Sequence, residues 1–273
     1  MLQTITSKDN EKLKAAAKLV QSKKERMERK EFLTEGYRLC MDAFQSGKKP
    51  KRIFVTEQLL KKENCEAILA DCRETYLISA QLAQKLSDTQ TPQGIFCVFS
   101  MPDNQDEIAK KVLKQTQKKR IIVLSSLQDP GNIGTIIRSC EAFGVDLIVM
   151  SSDCPDLYSP KMLRATMGGV FRMPVLVTDC LKEEILSMKQ NGIAVYAAAL
   201  RKDAVPIVEL PLDRSSAVVI GNEANGLTEE IIEACSKAMI IPMQGRAESL
   251  NAATAASIAA WEMSRAQYTH KAD

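Results

Sequence analysis

The residues best placed to do chemistry lie in three polar turns of the second half of the chain. One of them falls in Ile240–Trp261 (IIPMQGRAESLNAATAASIAAW), which begins as a short apolar strand, breaks at Pro242 and crosses Gln244, Gly245 and Arg246. It then enters a helix made almost wholly of Ala, Ser and Thr, with Glu248, Ser249 and Asn251 at its start. A helix start carries four backbone N–H groups without internal partners, so polar side chains there either cap the helix or help hold a ligand. A helix this poor in charge on every face is expected to be buried, and its small side chains let other backbone approach closely. Ser126–Gly134 (SLQDPGNIG) and Gly221–Thr228 (GNEANGLT) share the design: each follows an apolar strand and opens a helix. In open α/β sheets ligands bind beyond the carboxyl ends of strands, where such turns sit. Three of them in one half of a chain point to a built site.

Composition removes many alternatives. The only histidine, His270, lies in a polar tail, so a His-based triad, a His general base and the usual Cys/His zinc site are all excluded. The eight cysteines form no C-x-x-C pair and read as reduced, mostly buried small hydrophobes. Asp129, Asp153 and Asp156 stand in Pro-containing turns, where turn chemistry explains them better than metal ligation. Neither Gly131–Gly134 nor Gly221–Gly226 has the G-x-G-x-x-G spacing of a dinucleotide site, and there is no P-loop. The chemistry therefore falls to carboxylate, amide, hydroxyl or arginine.

The elements that must position these turns alternate regularly. At 273 residues the chain is long enough for two domains. The first half predicts a basic helix over Lys8–Lys30, then strand Glu31–Leu33, helix Glu35–Gln45, strand Arg52–Val55, helix Glu57–Ala70, strand Thr75–Ile78, helix Ala80–Leu86 and strand Gly94–Phe99. This makes a compact α/β/α unit over 1–100. Residues 101–117 read as a linker ending in a short helix. From 118 to 273 strands alternate with helices, which argues for a mainly parallel sheet covered on both faces. No apolar run is long enough to span a bilayer and the N-terminus has no signal-peptide core, so a cytoplasmic protein is expected. The net charge of +3 is unevenly placed: Lys8–Lys30 holds nine Lys or Arg against four Asp or Glu, and Lys48, Lys49, Lys51 and Arg52 form a second cluster. Such patches suit a polyanion, nucleic acid above all, or are simply a solvated surface.

The trio N-I-G-x-x-x-R (Asn132 to Arg138), V-I-G-N-E-x-x-G-L (Val219 to Leu227) and I-P-M-x-G-x-x-x-S-L-N-x-x-x-A (Ile241 to Ala255) resembles the SpoU/TrmH family of RNA ribose 2′-O-methyltransferases, in the SPOUT superfamily. The three motifs stand in the family's order within Lys118–Arg265. Ser159–Gly169 also looks like the family, and Phe32–Phe99 is similar to the L30e/L7Ae-like substrate-binding domain found in many members. The resemblance implies an α/β fold whose parallel sheet ends in a trefoil knot. It also implies S-adenosylmethionine bound within that knot, a homodimer formed through the catalytic domains, and RNA as substrate.

Carried over position by position, the resemblance assigns cofactor contacts to Gly221, Ile241 and Leu250, joined by Asn222 and Met243 on the same motifs and by Leu200 at the end of an earlier strand. It makes Arg138 the residue acting on the ribose hydroxyl, with Asn132, Glu223, Ser249 and Asn251 around it. Arginine does not give up its proton, so gripping the adjacent phosphate suits Arg138 better than acting as a base. Arg138 and Asn132 are expected to face the same space. Plainer explanations are a surface pair for Arg138, a helix cap for Ser249 and a dipole-stabilised carboxylate for Glu223. Lys161 and Arg164 are either RNA contacts or surface charges. The reading that results is S-adenosylmethionine-dependent 2′-O-methylation of structured RNA. Ribosomal RNA is the expected substrate, with transfer RNA or a non-catalytic RNA-binding role as alternatives.

Overall fold

In the computed structural model, which describes residues 2–102, 105–114 and 117–269, the chain divides into two compact units. One comprises Met1–Asp103 together with Asp156–Phe171, and the other Asn104–Pro155 with Arg172–Asp273. His270 lies outside the described residues. No described helix is long and apolar enough to cross a membrane.

The first unit is built on five strands: β1 (Gln3–Ile5), β2 (Glu31–Glu35), β3 (Pro50–Val55), β4 (Glu74–Ile78) and β5 (Ile95–Ser100). They pair in the order β1-β4-β3-β5-β2. β1, β4 and β3 run parallel, and β5 is antiparallel to both β3 and β2. The expected helix over Lys8–Lys30 is two helices, α1 (Glu11–Gln21) and α2 (Lys23–Arg29). Ser22 is extended between them, and its hydroxyl accepts from the Glu25 N–H, so a local cap wins over continuation. The expected helix over Glu57–Ala70 breaks the same way into α4 (Glu57–Lys62) and α5 (Glu66–Ala70), where the Asn64 side chain accepts from the Glu66 N–H. Between strands lie α3 (Tyr37–Gln45) and α6 (Ala80–Leu86).

Much of the positive charge of α1 and α2 is met internally, by Lys12–Glu74, Lys14–Asp9 and Arg29–Glu25 pairs. Arg26 is different, because it is buried. Its Nε and Nη2 donate to Asp156 Oδ2 at 2.7 and 2.6 Å, and its Nη1 donates to the Leu19 carbonyl at 2.5 Å. Asp156 precedes α9 (Pro160–Thr166), the helix by which this later segment joins the first unit. Phe32 anchors the segment, with ring centroids 4.7 Å from Tyr158 and 6.0 Å from Phe171.

The second unit holds an all-parallel sheet of seven strands in the order β10-β12-β9-β11-β6-β7-β8. These are β6 (Arg120–Leu124), β7 (Leu147–Ser151), β8 (Val175–Thr178), β9 (Ala194–Ala198), β10 (Val205–Pro206), β11 (Ser216–Ile220) and β12 (Lys237–Ile240). β11 is buried at every residue, as its unbroken apolar run SAVVI requires of a strand covered on both faces. One face packs on α10 (Leu181–Gln190) and α11 (Glu229–Ala234) through Leu181, Ile185, Met188 and Ile231. Val112 and Leu113 of α7 (Gln105–Lys114) pack against the same core, so part of the expected linker is structural. Against β6 and β11 lies α12 (Ala252–Thr269), which also contacts α8 (Pro130–Ala142). α12 begins at Ala252 rather than Glu248. It is not buried on every face: Thr254, Trp261 and Arg265 are exposed, while Ala252, Ala253, Ala256, Ala259 and Ala260 form its buried stripe. The small side chains explain close packing on one side only.

Removing one member of a buried ion pair strands the other charge. Arg26→Ala is therefore expected to destabilise the protein by about 3–5 kcal/mol. Urea unfolding checks it, and a loss under about 1 kcal/mol, the range of an exposed pair, would show that this pair is not the anchor described here.

Candidate active site

Three turns converge at the carboxyl ends of β6 and β11, where strand order reverses: from β6 the chain proceeds outward through β7 and β8, then returns on the other side. This is the switch point at which open parallel sheets form crevices. The first turn runs from Ser125 to the start of α8. Asp129 caps α8 by accepting from the Gly131 and Asn132 N–H groups, and Pro130 opens it. Turn chemistry thus accounts for Asp129, and among the described residues no group of acidic, Cys or His side chains is arranged to hold a metal. Ser126 sits in the left-handed region at φ 56°, uncommon for a residue with a Cβ. Its N–H donates to Ser151 Oγ at 2.8 Å, and its carbonyl accepts from Asn222 Nδ2 at 2.7 Å and Gln128 Nε2 at 3.0 Å.

The second turn follows β11. Asn222 Oδ1 accepts from the Ala224 and Asn225 N–H groups, closing an Asx turn, and Gly226 at φ 67° returns the chain to pair with Asn222. Gly221 is required for space rather than for φ. A Cβ there would stand 2.4 Å from the Gly226 carbonyl carbon and 2.7 Å from the Leu227 nitrogen.

Glu223 links these turns. Its carboxylate accepts from Asn132 Nδ2 at 2.9 Å and from the Gln128 and Asp129 N–H groups at 3.2 and 3.3 Å. Burial alone would push this carboxyl up. The hydrogen bonds from Asn132 and the backbone outweigh it and hold the group below its ordinary value of 4.5. The third turn joins through Asn251, whose Nδ2 donates to Asn132 Oδ1 at 2.9 Å while its Oδ1 accepts from the Ala253 and Thr254 N–H groups. Asn251, Asn132 and Glu223 therefore form one directed chain across three loops. Further along, Ser257 of α12 donates to Ser139 of α8 at 2.8 Å.

Next to Asn251, Ser249 and Leu250 enter the wall of a cavity of about 130 Å³ at the ends of β9 and β12. Ala198, Ala199, Met239 and Ala255 line it, and so do three further sequence candidates: Leu200, Ile241 and Met243. Leu200 is 72% exposed, a large apolar side chain at the mouth. Gly221 and Asn222 belong to the neighbouring turn and are not among the lining residues.

Arg138 stands apart. It is six residues beyond Asn132, about 240° of helical rotation, so the two do not share a face as the spacing suggested. Arg138 is exposed, with no hydrogen-bond or ion-pair partner among the described residues. Arg164 is engaged in the first unit, where Nη2 donates to Asp88 Oδ2 at 2.9 Å and the Asp88 carboxylate pushes the guanidinium's pKa further up. Lys161 is exposed. Sequence reasoning did not find the parts of Ser126 and Gln128. A Ser at a strand exit carries no signal of its left-handed conformation, and Gln128 acts through its backbone N–H on Glu223 and its amide on backbone carbonyls, neither of which a spacing pattern marks.

A doubly wound parallel sheet with a cavity beside its switch point defines an α/β enzyme that binds a small ligand at strand ends. The chain belongs to the SpoU rRNA Methylase family, whose model matches residues 119–261. Residues 10–97 match the MRM3-like substrate binding domain. The chain is 33% identical over 262 residues to the 23S rRNA (guanosine(2553)-2′-O)-methyltransferase RlmP of Bacillus subtilis (strain 168), covering 96% of this chain and 99% of that protein. It is 28% identical to the human mitochondrial rRNA methyltransferase 3, covering 93% and 72% respectively. Among solved structures, the AdoMet-bound rRNA methyltransferase from Sinorhizobium meliloti superposes with a TM-score of 0.81 at 27% identity, over 97% of this chain and 98% of that one.

Two outcomes are expected of this geometry. Gly221→Ala forces its Cβ into the facing backbone and should cost roughly 1–3 kcal/mol in stability, read by thermal or urea unfolding. A depressed folded-state pKa gives Glu223 a stabilising effect present above its unfolded pKa of about 4.5 and lost as pH falls through the lower folded value. Glu223→Gln should thus lose stability at neutral pH and flatten the stability profile below about pH 4.5. A profile identical to that of the native protein would remove Glu223 from this role.

Proposed function

We propose that this protein is an S-adenosylmethionine-dependent methyltransferase acting on a ribose 2′-hydroxyl of ribosomal RNA. The observation that carries this reading is the Asn251–Asn132–Glu223 chain, which holds three loops together beside a mainly apolar cavity. The residues present fit an adenosyl group: Ala, Leu, Ile and Met side chains wall the cavity, with the Ser249 hydroxyl as a polar group beside them. Leu200, Ile241, Met243 and Leu250 would hold the group there, with Gly221 and Asn222 fixing the adjoining turn. Bound, its sulfonium supplies an activated methyl for in-line displacement.

The remaining work falls to this chain's own side chains. Methyl transfer needs donor and acceptor held in line and a proton lost from the 2′-hydroxyl. Glu223 is a poor base, because its lone pairs are committed to Asn132 and the loop backbone and its pKa is depressed. Asn132 and Asn251 have no proton to accept. The Arg138 guanidinium, without a partner among the described residues, suits the phosphate beside the target ribose, since the planar fork matches phosphate oxygens. It orients the hydroxyl, whose proton passes to that phosphate or to water. Ser249, an exposed residue of the cavity wall, would meet the ribose.

We further propose that β11, the Gly221–Leu227 turn and α12 form a trefoil knot. What supports it is the family match over residues 119–261 and the superposition on the AdoMet-bound rRNA methyltransferase. A homodimer through the second unit and a cytoplasmic site of action complete the reading; the first rests on the family resemblance alone, and the second on the bacterial rRNA methyltransferase relative.

Arg138→Ala is expected to lower methyl transfer by about 10²–10³-fold, the scale of one lost charge-bearing donor. S-adenosylmethionine affinity by calorimetry should stay within about twofold, since Arg138 is outside the cavity wall. Labelled-methyl incorporation into rRNA reads the first quantity, and undiminished incorporation would remove Arg138 from the mechanism. Mapping 2′-O-methyl marks in rRNA with and without the protein tests the function itself: an unchanged map sinks it.

A further inference from the structure

The first unit holds a charged cleft of about 900 Å³ at the amino ends of β2, β3 and β4, well away in sequence from the three motifs. Those three strands run in one direction, so their starts lie along a single edge of the sheet. Each start brings a cation: Arg29 ahead of β2 (its charge met by Glu25 at 2.9 Å), Lys49, Lys51 and Arg52 at β3, and Arg73 ahead of β4.

The carboxylates of the cleft do not cancel this charge. Glu31, 6% exposed, is shared by Lys51 and Arg52, which leaves one positive charge over and fixes both side chains. Glu74 is taken by Lys12 at 2.9 Å. Asp71 meets Lys49 only at 3.7 Å, between exposed groups where water screens most of the attraction. Arg73 is exposed and has no ion-pair partner among the described residues. On α1 the balance is the opposite, because Lys12, Lys14 and Lys18 each have a carboxylate partner.

We propose that this cleft is a docking surface for the phosphate backbone of a double-helical RNA stem. The proposal rests on the RNA reading above and assigns the surface through which the first unit engages its substrate. Cations set along a sheet edge, at intervals of about 5–10 Å, suit a chain of phosphates rather than a single anion. The cleft has no aromatic lining residue on which an unpaired base could stack. Duplex RNA, recognised through its backbone and shape, is the form that needs no such platform.

The test uses the full-length protein and a fluorescein-labelled RNA stem–loop, with binding read by anisotropy over a salt series. Lys49→Glu combined with Arg73→Glu is expected to weaken binding about tenfold or more at low salt. It should also make the slope of log K against log salt shallower by about 2, the release of two counterions. The milder Lys49→Gln with Arg73→Gln should move the slope the same way. Lys61→Glu, on α4 outside the cleft, should leave it unchanged. Unaltered S-adenosylmethionine binding by calorimetry certifies that the variants are folded. If the native protein binds the stem–loop and both double variants keep its slope, the surface is wrong and the RNA reading survives. If an unpaired oligonucleotide of the same length competes as well as the stem, the duplex assignment is overturned. No binding of any RNA by the native protein overturns the RNA reading and this surface with it.

Discussion

One carboxylate holds the second unit's working end together. Glu223 collects donors from a turn far away in the sequence, and through Asn132 it reaches the loop before α12. A carboxylate suits this post because its two oxygens accept several hydrogen bonds at once, where an amide or a hydroxyl offers a single oxygen. Every link in the chain points the same way, from Asn251 through Asn132 to the negative charge. Aligned donors of this kind polarise one another, so the pieces reinforce the whole.

That constraint determines what the neighbouring cavity can be. Ser249 and Leu250 are in its wall, and Asn251, the next residue, is in the chain of amides. The wall therefore cannot shift without disturbing the clasp. Behind it, the alanine stripe of α12 lets the helix lie close on β6 and β11, so the loop is backed by packed core rather than by solvent. The left-handed Ser126 is held by three separate hydrogen bonds at the same crevice, an arrangement that fixes an uncommon backbone conformation where position matters.

How much of this could be read beforehand depended on the range of the interactions. Strand and helix types in the second unit followed from unbroken apolar runs such as Ile121–Leu124 and Ala217–Ile220, which a doubly covered parallel sheet accommodates. The three turns were legible because their polar residues follow such runs directly. Local hydroxyl and amide caps were missed: Ser22 and Asn64 each divide what periodicity drew as one helix. The return of Asp156–Phe171 to the first unit was also invisible, since it depends on Arg26 meeting Asp156 across a separation of 130 residues. For the site, motif resemblance named the members of the chain but not their bonds. Glu223 meets an asparagine and two backbone N–H groups of the first turn, and Arg138 turns away from Asn132.

The sole tryptophan of the chain, Trp261, sits on α12 with its ring edge-on to Phe143 at the end of α8, 5.5 Å between centroids. It is 41% exposed, so its indole samples both the aromatic neighbour and water. Of these two helices, α8 carries Asn132 in its first turn and α12 opens just after Asn251. Nature has thereby installed an intrinsic fluorophore on the rod that backs the crevice, and its emission colour and quenching can follow that rod in unlabelled material.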